Sequence, residues 1–327
     1  IIGIESSPYA VKVRAAMRHH RLPHIWVARM PQFFAETASV RPLIMPVVQF
    51  PDGEYHTDST PIIREVESRH SGERSIIPDD LAAAFLNDLI EDLADEWLTK
   101  SLFHYRFSKP ADQMSGASWV IDDAHPGLDE RALAELVGDF IDRQVSRMPI
   151  VACTPHNAPL LERFYRELLL CLESFVQTDR FLFGSRPALA DFALYGQLNT
   201  LATDPTAAAI IRRDAPRTVR WVTRLADTSG VEGEWESTPN RAVVEITKLA
   251  GRYYLPFLAA NMRAIEAGES TVEVMLDGHL YQQSVFRYQA KCYDYLRRTY
   301  GNLPDDARER LNPILEETDC LPYLAHT

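Results

Sequence analysis

Short apolar runs and two amphipathic segments alternate along the first seventy residues. Val11, Ala15 and Met17 recur on one face of a helix, and runs rich in β-branched or aromatic residues predict strands. In chain order the predicted elements are a strand at 1–5, a helix at 6–21, strands at 24–29, 45–50 and 54–58, and a helix at 59–70. The pattern is therefore β-α-β-(α)-β-β-α.

After a polar, turn-rich stretch at 71–80, helical periodicity takes over. The pattern predicts helices at 81–107, 129–148, 157–177 and 215–227, with a buried helix in the segment 180–205. The first of these carries leucines on one side and acidic residues on the other, at Asp88, Glu91, Asp92, Asp95 and Glu96. These carboxylates have no histidine among them, so we expect a solvated helix face and no metal site.

The last ninety-seven residues continue the apolar patterning. An alternating segment at 270–283 contains Asp277-Gly278, which is a strong hairpin signal, and helices are predicted at 284–303 and 305–317. Since this region is too apolar for a disordered tail, we expect it to pack on the preceding helices, covering either a pocket or an interface.

The composition disfavours several classes of partner and site. The net charge of −12 disfavours nucleic acid or an anionic membrane as a partner, and no apolar run approaches the ~20 residues that span a bilayer. The cysteines are scattered without CxxC spacing, which suits a reducing, cytoplasmic setting; they are Cys153, Cys171, Cys292 and Cys320. The chain starts without methionine, so we expect a few residues to precede Ile1.

Three local strings resemble the thioredoxin-like domain of glutathione transferases. The strings are SSPYAVKVRAAM at 6–17, MPVVQFPDG at 45–53 and TDSTPII at 57–63. The first is similar to the helix-opening motif of the serine- and cysteine-type classes such as zeta and omega. The resemblance implies a thioredoxin-like domain at 1–72, an all-helical domain at 81–230, and an additional helical extension with a hairpin at 231–327.

The resemblance also implies a binding site for glutathione as co-substrate. It makes Met45–Pro46 a cis bond and leaves the backbone of Val47 free to pair with the cysteinyl part of the tripeptide. Asp58 and Ser59 stand at a helix start, where the N-terminus suits the γ-glutamyl carboxylate and Asp58 can meet the ammonium group. Simple N-capping by this pair is the alternative, and both roles are compatible.

Ser7, directly before a proline at the start of the first helix, matches the reactive serine of the family. Its hydroxyl would donate to the glutathione thiolate, and simple N-capping is again the alternative. Tyr9 falls in the opening turn and is assigned to glutathione binding rather than catalysis. The chain lacks the lysine and glycine that many relatives carry before the strand-initial proline, so Arg41 is a candidate for the glycyl carboxylate.

An aromatic cluster ends the long helix, at the place where the family's electrophile pocket lies. Its candidate pocket residues are Trp97, Phe103, His104, Tyr105 and Phe107, and ordinary core packing is the alternative for each. In the segment 180–205, Asp191 matches the family's capping-box aspartate, with Ala188 at the cap, so we interpret it as a folding residue.

We predict a glutathione transferase-like enzyme that activates the glutathione thiol for attack on a small hydrophobic electrophile, as in detoxification. A non-enzymatic scaffold of the same fold is the alternative, and a carrier of a bulky aromatic compound is a third hypothesis. The resemblance allows a homodimer. The serine at position 7 disfavours thiol–disulfide exchange, because that chemistry requires a protein thiolate.

Overall fold

A four-stranded mixed sheet and its helices form the N-terminal part of the computed structural model, which describes residues 1–28, 32–70, 72–176 and 180–325. The elements are β1 (Ile2–Gly3), α1 (Pro8–His19), β2 (Val27–Ala28), α2 (Gln32–Glu36), β3 (Val47–Gln49), β4 (Tyr55–Thr57) and α3 (Ser59–Arg69). The strand order is β2-β1-β3-β4, with β1 parallel to β2 and antiparallel to β3. The predicted thioredoxin-like order of elements is confirmed.

Helices dominate the next part of the chain. They are α4 (Leu81–Leu93), a π turn (Ala94–Leu98), α5 (Thr99–Phe107), α6 (Pro110–Ala124), α7 (Glu130–Arg147), a 3-10 turn (Met148–Val151), α8 (Ala158–Phe175), α9 (Leu189–Leu201), α10 (Pro205–Asp214) and α11 (Pro216–Leu225). The predicted helix at 81–107 is thus continuous except for the π turn. The predicted strand 24–29 and helix 157–177 each end on a residue outside the described ranges.

Close backbone packing joins α1 to α9. A Cβ atom at Gly196 would lie 2.4 Å from the carbonyl oxygen of Pro8, so this crossing requires a glycine. Ser7 is the N-cap of α1, and its Oγ accepts a hydrogen bond from the backbone N–H of Ala10 at 3.3 Å. The start of α1 is therefore packed directly against the buried helix α9, which fixes its position relative to the helical part.

Asp191 has the folding role predicted for it. This buried carboxylate accepts hydrogen bonds from the backbone N–H groups of Ala188, at 2.8 Å, and Leu182, at 3.0 Å. Ala188 has no side-chain oxygen, so Asp191 supplies the side-chain half of the capping box on its own. The arrangement fixes the loop before α9 to the first turn of that helix.

The C-terminal extension is folded and carries the predicted hairpin. Its elements are α12 (Arg241–Leu249), a π turn (Ala250–Tyr254), α13 (Leu255–Glu266), β5 (Thr271–Leu276), β6 (His279–Ser284), α14 (Arg287–Gly301), α15 (Asp305–Glu317) and α16 (Leu321–Leu324). Asp277 and Gly278 both have positive φ, as a two-residue hairpin turn requires. α12 packs on α4 and α8, and α14 and α15 pack on α4.

One hydrophobic cluster runs through all three parts of the chain. It includes Val11 and Ile62 from the N-terminal part, Phe164 from the helical part, and Tyr254 and Leu311 from the extension. Because the three parts share one hydrophobic cluster, the core does not separate them into domains. The domain limits at 72, 81 and 230 therefore stay a prediction. Within the described ranges, no helix is both long enough and apolar enough to cross a membrane.

Candidate functional site

A cavity of about 460 Å³ lies where the N-terminal part, the helical part and the extension meet. The N-terminal part contributes Tyr9, Pro42, Ile44, Met45, Asp58, Ser59 and Thr60. The helical part contributes Asp92, Asp95, Glu96, Thr99, Lys100, Phe103, Ile150 and Val151, and the extension contributes Gln283, Phe286, Tyr288 and Gln289. The cavity brings Tyr9, Met45, Asp58 and Ser59 together, all of them residues assigned to glutathione binding from the sequence.

The segment before β3 places Met45, not Val47, at the cavity. The Met45–Pro46 bond is cis, as the resemblance implied. Val47 is buried and pairs with Ile2 on one side and Thr57 on the other, so its backbone lies inside the sheet. The expectation of a free Val47 backbone is therefore wrong, because β3 is a central strand. Met45 lies just before the paired region.

Asp58 and Ser59 stand at the N-terminus of α3. Asp58 is the N-cap residue by position, yet its side chain makes no capping hydrogen bond and its φ is 75°. The carboxylate instead accepts a hydrogen bond from the Tyr288 hydroxyl at 3.0 Å. Ser59 Oγ is 3.4 Å from Asp95 Oδ2. Both side chains thus face the other parts of the chain rather than their own helix end.

Ser7 and Tyr9 differ in position. The Ser7 hydroxyl is mostly buried at the start of α1, and Ser7 is not among the residues that line the cavity. Tyr9 lines the cavity, and its hydroxyl donates to the backbone oxygen of Asp95 at 2.9 Å and lies 3.2 Å from Thr99 Oγ1. Burial raises the pKa of Tyr9 well above its ordinary value, so the neutral phenol persists.

Of the five aromatic candidates, Phe103 alone lines the cavity. Trp97 is fully buried against Phe257 and Tyr281, with ring centroids 5.4 and 5.3 Å away. The other three candidates pack elsewhere: Tyr105 against Tyr165, Phe107 in a cluster with Phe140, and His104 beside Glu162. Core packing therefore accounts for these positions.

The acids of α4 and the π turn are buried at Asp88, Glu91 and Asp95 and half-buried at Asp92 and Glu96, so the predicted solvated face is wrong. Asp88 contacts Arg64 and Tyr295, and Glu91 contacts Lys12 and Thr60. Asp92 contacts Tyr254, Asp95 contacts Lys12 and Ser59, and Glu96 contacts Gln289. Periodicity could not reveal this, because the partners come from distant segments on both sides of the helix. The π turn at Ala94–Leu98 also shifts Asp95 and Glu96 relative to a regular α-helix.

Lys12 is the buried cation that holds this face together. Its ammonium lies 2.6 Å from Glu91 Oε1 and 2.6 Å from Asp95 Oδ2, and the side chain is almost fully buried. Burial alone would lower the pKa of Lys12, but Asp95 and Glu91 raise it above the ordinary value. Burial likewise opposes ionisation of Glu91, yet Lys12 lowers its pKa. The N-terminal part is thereby tied to α4 by a buried ion pair.

Two carboxyls of the cavity ionise near neutral pH. Burial raises the pKa of Asp95 and that of Glu96 to about 7. It also raises the pKa of Asp92 well above its ordinary value, although Tyr254 donates to that carboxyl. In the opposite sense, burial lowers the pKa of Lys100 to about 8. The cavity therefore contains several groups whose charge changes between mildly acidic and mildly basic pH.

The extension supplies one wall of the cavity, and sequence reasoning missed its residues. Tyr288 contacts Asp58, Gln289 contacts Glu96 at 3.2 Å, and Gln283 accepts a hydrogen bond from Lys100 at 2.8 Å. Polar residues in and directly after a hairpin were the available signal, but nothing in their spacing indicated a distant cavity. The extension therefore covers the predicted binding residues.

Arg41 and the cysteines are not among the residues that line the cavity. Arg41 donates to the backbone oxygens of Ala38 and Val40, at 2.6 and 2.8 Å, within its own loop. All four cysteines are free thiols. Within the described part of the chain, no group of three or more histidine, cysteine or acidic residues is arranged to hold a metal ion.

The family model "Glutathione S-transferase, N-terminal domain" matches residues 6–69. This match confirms the resemblance for that part of the chain and does not distinguish the zeta and omega classes. A search of curated proteins finds no match.

Three solved structures of glutathione S-transferases are similar to this chain. The protein from Methylobacillus flagellatus KT, with GSH bound, is 21% identical over 68% of this chain and 91% of its own, with a TM-score of 0.41. The protein from Methylobacterium radiotolerans JCM 2831, in complex with glutathione sulfonate, is 20% identical over 73% of this chain and 97% of its own, with a TM-score of 0.44. The protein from Rhodospirillum rubrum F11 is 18% identical over 75% of this chain and 97% of its own, with a TM-score of 0.42. A likeness this distant carries no conclusion about the ligand.

Replacing Lys12 with methionine should destabilise the protein in a pH-dependent way. The change leaves Glu91 and Asp95 buried without their cation, which costs about 3–5 kcal/mol at pH 7. At pH 5 the penalty should be at least about 2 kcal/mol smaller, because the unpaired carboxyls can then be protonated. Urea unfolding at both pH values, relative to the unmodified protein, measures the difference.

Arg131→Met is the matched control, since Arg131 pairs with Glu135 on the exposed surface of α7. It should change the free energy of unfolding by less than about 1 kcal/mol at either pH. An equal penalty for Lys12→Met at pH 5 and pH 7 would show that packing, and not charge, is what the lysine contributes.

Proposed function

We propose that the chain is a glutathione transferase that binds glutathione in this cavity and activates its thiol for attack on a hydrophobic electrophile. One observation carries the proposal: within the segment that matches the family model, Met45, Asp58 and Ser59 line one cavity beside the N-terminus of α3. The thiolate sulfur would form a bond to an electrophilic carbon, and the leaving group would depart with its electron pair. Conjugation, isomerisation and reductive dehalogenation share the thiol-activating step.

The N-terminus of α3 suits the γ-glutamyl carboxylate. Its first backbone N–H groups have no partner within the helix, and the helix dipole favours an anion there. The Ser59 hydroxyl, at 3.4 Å from Asp95, makes a long hydrogen bond that a ligand carboxylate can replace. Asp58 is held at a φ of 75°, which costs of order 1–3 kcal/mol for a non-glycine residue, and its carboxylate would meet the ammonium group.

The cysteinyl part of the tripeptide falls to Met45 in this proposal. Met45 lines the cavity immediately before the paired strand, so its backbone can exchange hydrogen bonds with an extended peptide. This assignment replaces the one made for Val47. Tyr9 contributes a wall, with its hydroxyl already bonded to the π turn.

Ser7 is the residue proposed to stabilise the thiolate. Its oxygen accepts from the backbone of Ala10, which leaves the hydroxyl proton free to donate to sulfur. The N-terminus of α1 adds a partial positive charge that favours an anion. A thiolate that reaches Ser7 from the cavity would therefore meet both a donor and a favourable dipole.

A non-catalytic ligand-binding protein is the second candidate. Two observations favour it: Ser7 does not line the cavity, and Tyr288 already contacts Asp58. In this reading glutathione or a related ligand is held without transfer of its sulfur. Measurements of binding and of turnover separate the two candidates.

Calorimetric titration with reduced glutathione should give a dissociation constant between micromolar and millimolar. Ser59→Ala should weaken binding by about tenfold, because a donor to the ligand carboxylate is lost. The matched control is Ser68→Ala, an exposed serine near the other end of α3, which should leave the affinity unchanged. No detectable heat for the unmodified protein, or equal affinity in both variants, would contradict the proposed site.

Ser7→Ala should lower kcat/KM for glutathione and an activated aryl halide by about tenfold or more, with little change in glutathione affinity. Loss of the N-cap should cost only about 1 kcal/mol of stability, which thermal melting can check. Ser6→Ala is the control, since the Ser6 hydroxyl contacts Asp123. Unchanged turnover in Ser7→Ala would remove Ser7 from the mechanism and favour another donor or the binding protein.

A further inference from the structure

We infer that the second substrate of this cavity is an organic cation, an apolar molecule that carries an ammonium group. The inference rests on the proposed function, because it names the substrate class of the same site. It starts from charge: of the described residues that line the cavity, four are carboxylic acids and one is a lysine. The acids are Asp58, Asp92, Asp95 and Glu96, and the lysine is Lys100.

Neighbouring charges do not remove this excess. Lys12 lies behind the cavity wall and is shared between Glu91 and Asp95. Lys100 donates to the neutral Gln283 and lies over the Trp97 ring. The other polar neighbours of the acids are neutral groups: the hydroxyls of Ser59, Tyr254 and Tyr288, the thiol of Cys292 and the amide of Gln289.

Asp95 supplies an observation that points to a ligand. The residue lines the cavity and is 6% exposed, yet Oδ1 of its buried carboxyl has no hydrogen-bond partner. Oδ2 of the same carboxyl contacts Lys12 and Ser59. A buried carboxylate oxygen without a donor is costly, and an ammonium N–H is the kind of donor that it lacks.

Two of the other acids lie on the same stretch of helix. Asp92 precedes the π turn and contacts Tyr254 and Cys292, and Glu96 lies within the turn and contacts Gln289. Both line the cavity with Asp95. An ammonium group in this region can therefore find several acceptors, as a charged group removed from water requires.

Apolar side chains complete the site for the body of such a molecule. Phe103, Ile150 and Val151 come from the helical part, and Phe286 comes from the extension. Bound glutathione would add two carboxylates, an ammonium group and a thiolate to the cavity, a net charge of about −2, so an anionic second substrate would be repelled. A cationic head with an apolar body satisfies both the charge and the lining.

The test is a calorimetric titration of the unmodified protein with three probes of one shape and different charge. They are 3-phenylpropylamine, 3-phenylpropan-1-ol and 3-phenylpropanoate, each at pH 8 with and without saturating glutathione. The amine should bind at least about tenfold more tightly than the alcohol, and the carboxylate most weakly. Equal affinity for amine and alcohol would overturn the inference and show that protonation, not a ligand cation, neutralises the acids.

Variants locate the charge that is responsible. Glu96→Gln and Asp92→Asn keep the shape of each side chain and should each reduce amine affinity by about fivefold or more, while affinity for the alcohol changes by less than twofold. Glu135→Gln, an exposed residue of α7, is the matched control and should change neither. Unchanged amine affinity in both cavity variants would place the amine elsewhere and overturn the inference.

The outcome for glutathione is separate. If the amine binds tightly but glutathione does not bind, the proposed transferase function fails while the cation site stands as a ligand site. If glutathione binds but the amine shows no preference, the transferase proposal stands and this inference fails.

Discussion

The buried contact of Lys12 with Glu91 and Asp95 is the interaction on which the site depends. It joins α1 to the acidic side of α4 at 2.6 Å on both carboxylates. This buried ion cluster adds little net stability, because the removal of three charged groups from water offsets much of their mutual attraction. Its effect is to fix the position of the start of α3 relative to the π turn, and so to fix the cavity between them.

That arrangement explains why an acidic helix can be buried at all. Each carboxylate on the inner side of α4 and the π turn meets a donor, and the donors come from two separate segments. The N-terminal part provides Lys12 and Arg64, and the extension provides Tyr254, Gln289 and Tyr295. The extension is therefore part of the site: without it Asp92 and Glu96 would lose the partners that hold them.

The sequence predicted the fold well because local signals carry it. The strand-initial proline and the Asp277-Gly278 hairpin each depend on neighbours in the chain, and each has the expected geometry. The start of α3 at Ser59 was also predicted, although Asp58 makes no capping hydrogen bond there. The order of elements and the family resemblance of the N-terminal part follow from such signals. Asp191 was also identified correctly, since its partners lie within nine residues.

The site was harder to predict because its contacts are long-range. Tyr288 and Asp58 are separated by 230 residues, and no local pattern relates them. Helical periodicity assigned the acids of α4 to solvent, since it distinguishes polar from apolar sides but not water from buried donors. The Val47 error had a similar cause, because whether a strand is central depends on the whole sheet.

A crystal structure of the protein grown with reduced glutathione would show whether the cavity beside the α3 N-terminus holds the tripeptide. We expect the γ-glutamyl carboxylate within hydrogen-bond distance of Ser59, the cysteinyl backbone against Met45, and the sulfur directed toward the start of α1. Glutathione bound outside the cavity, or a cavity still empty at saturating glutathione, would contradict the proposed site.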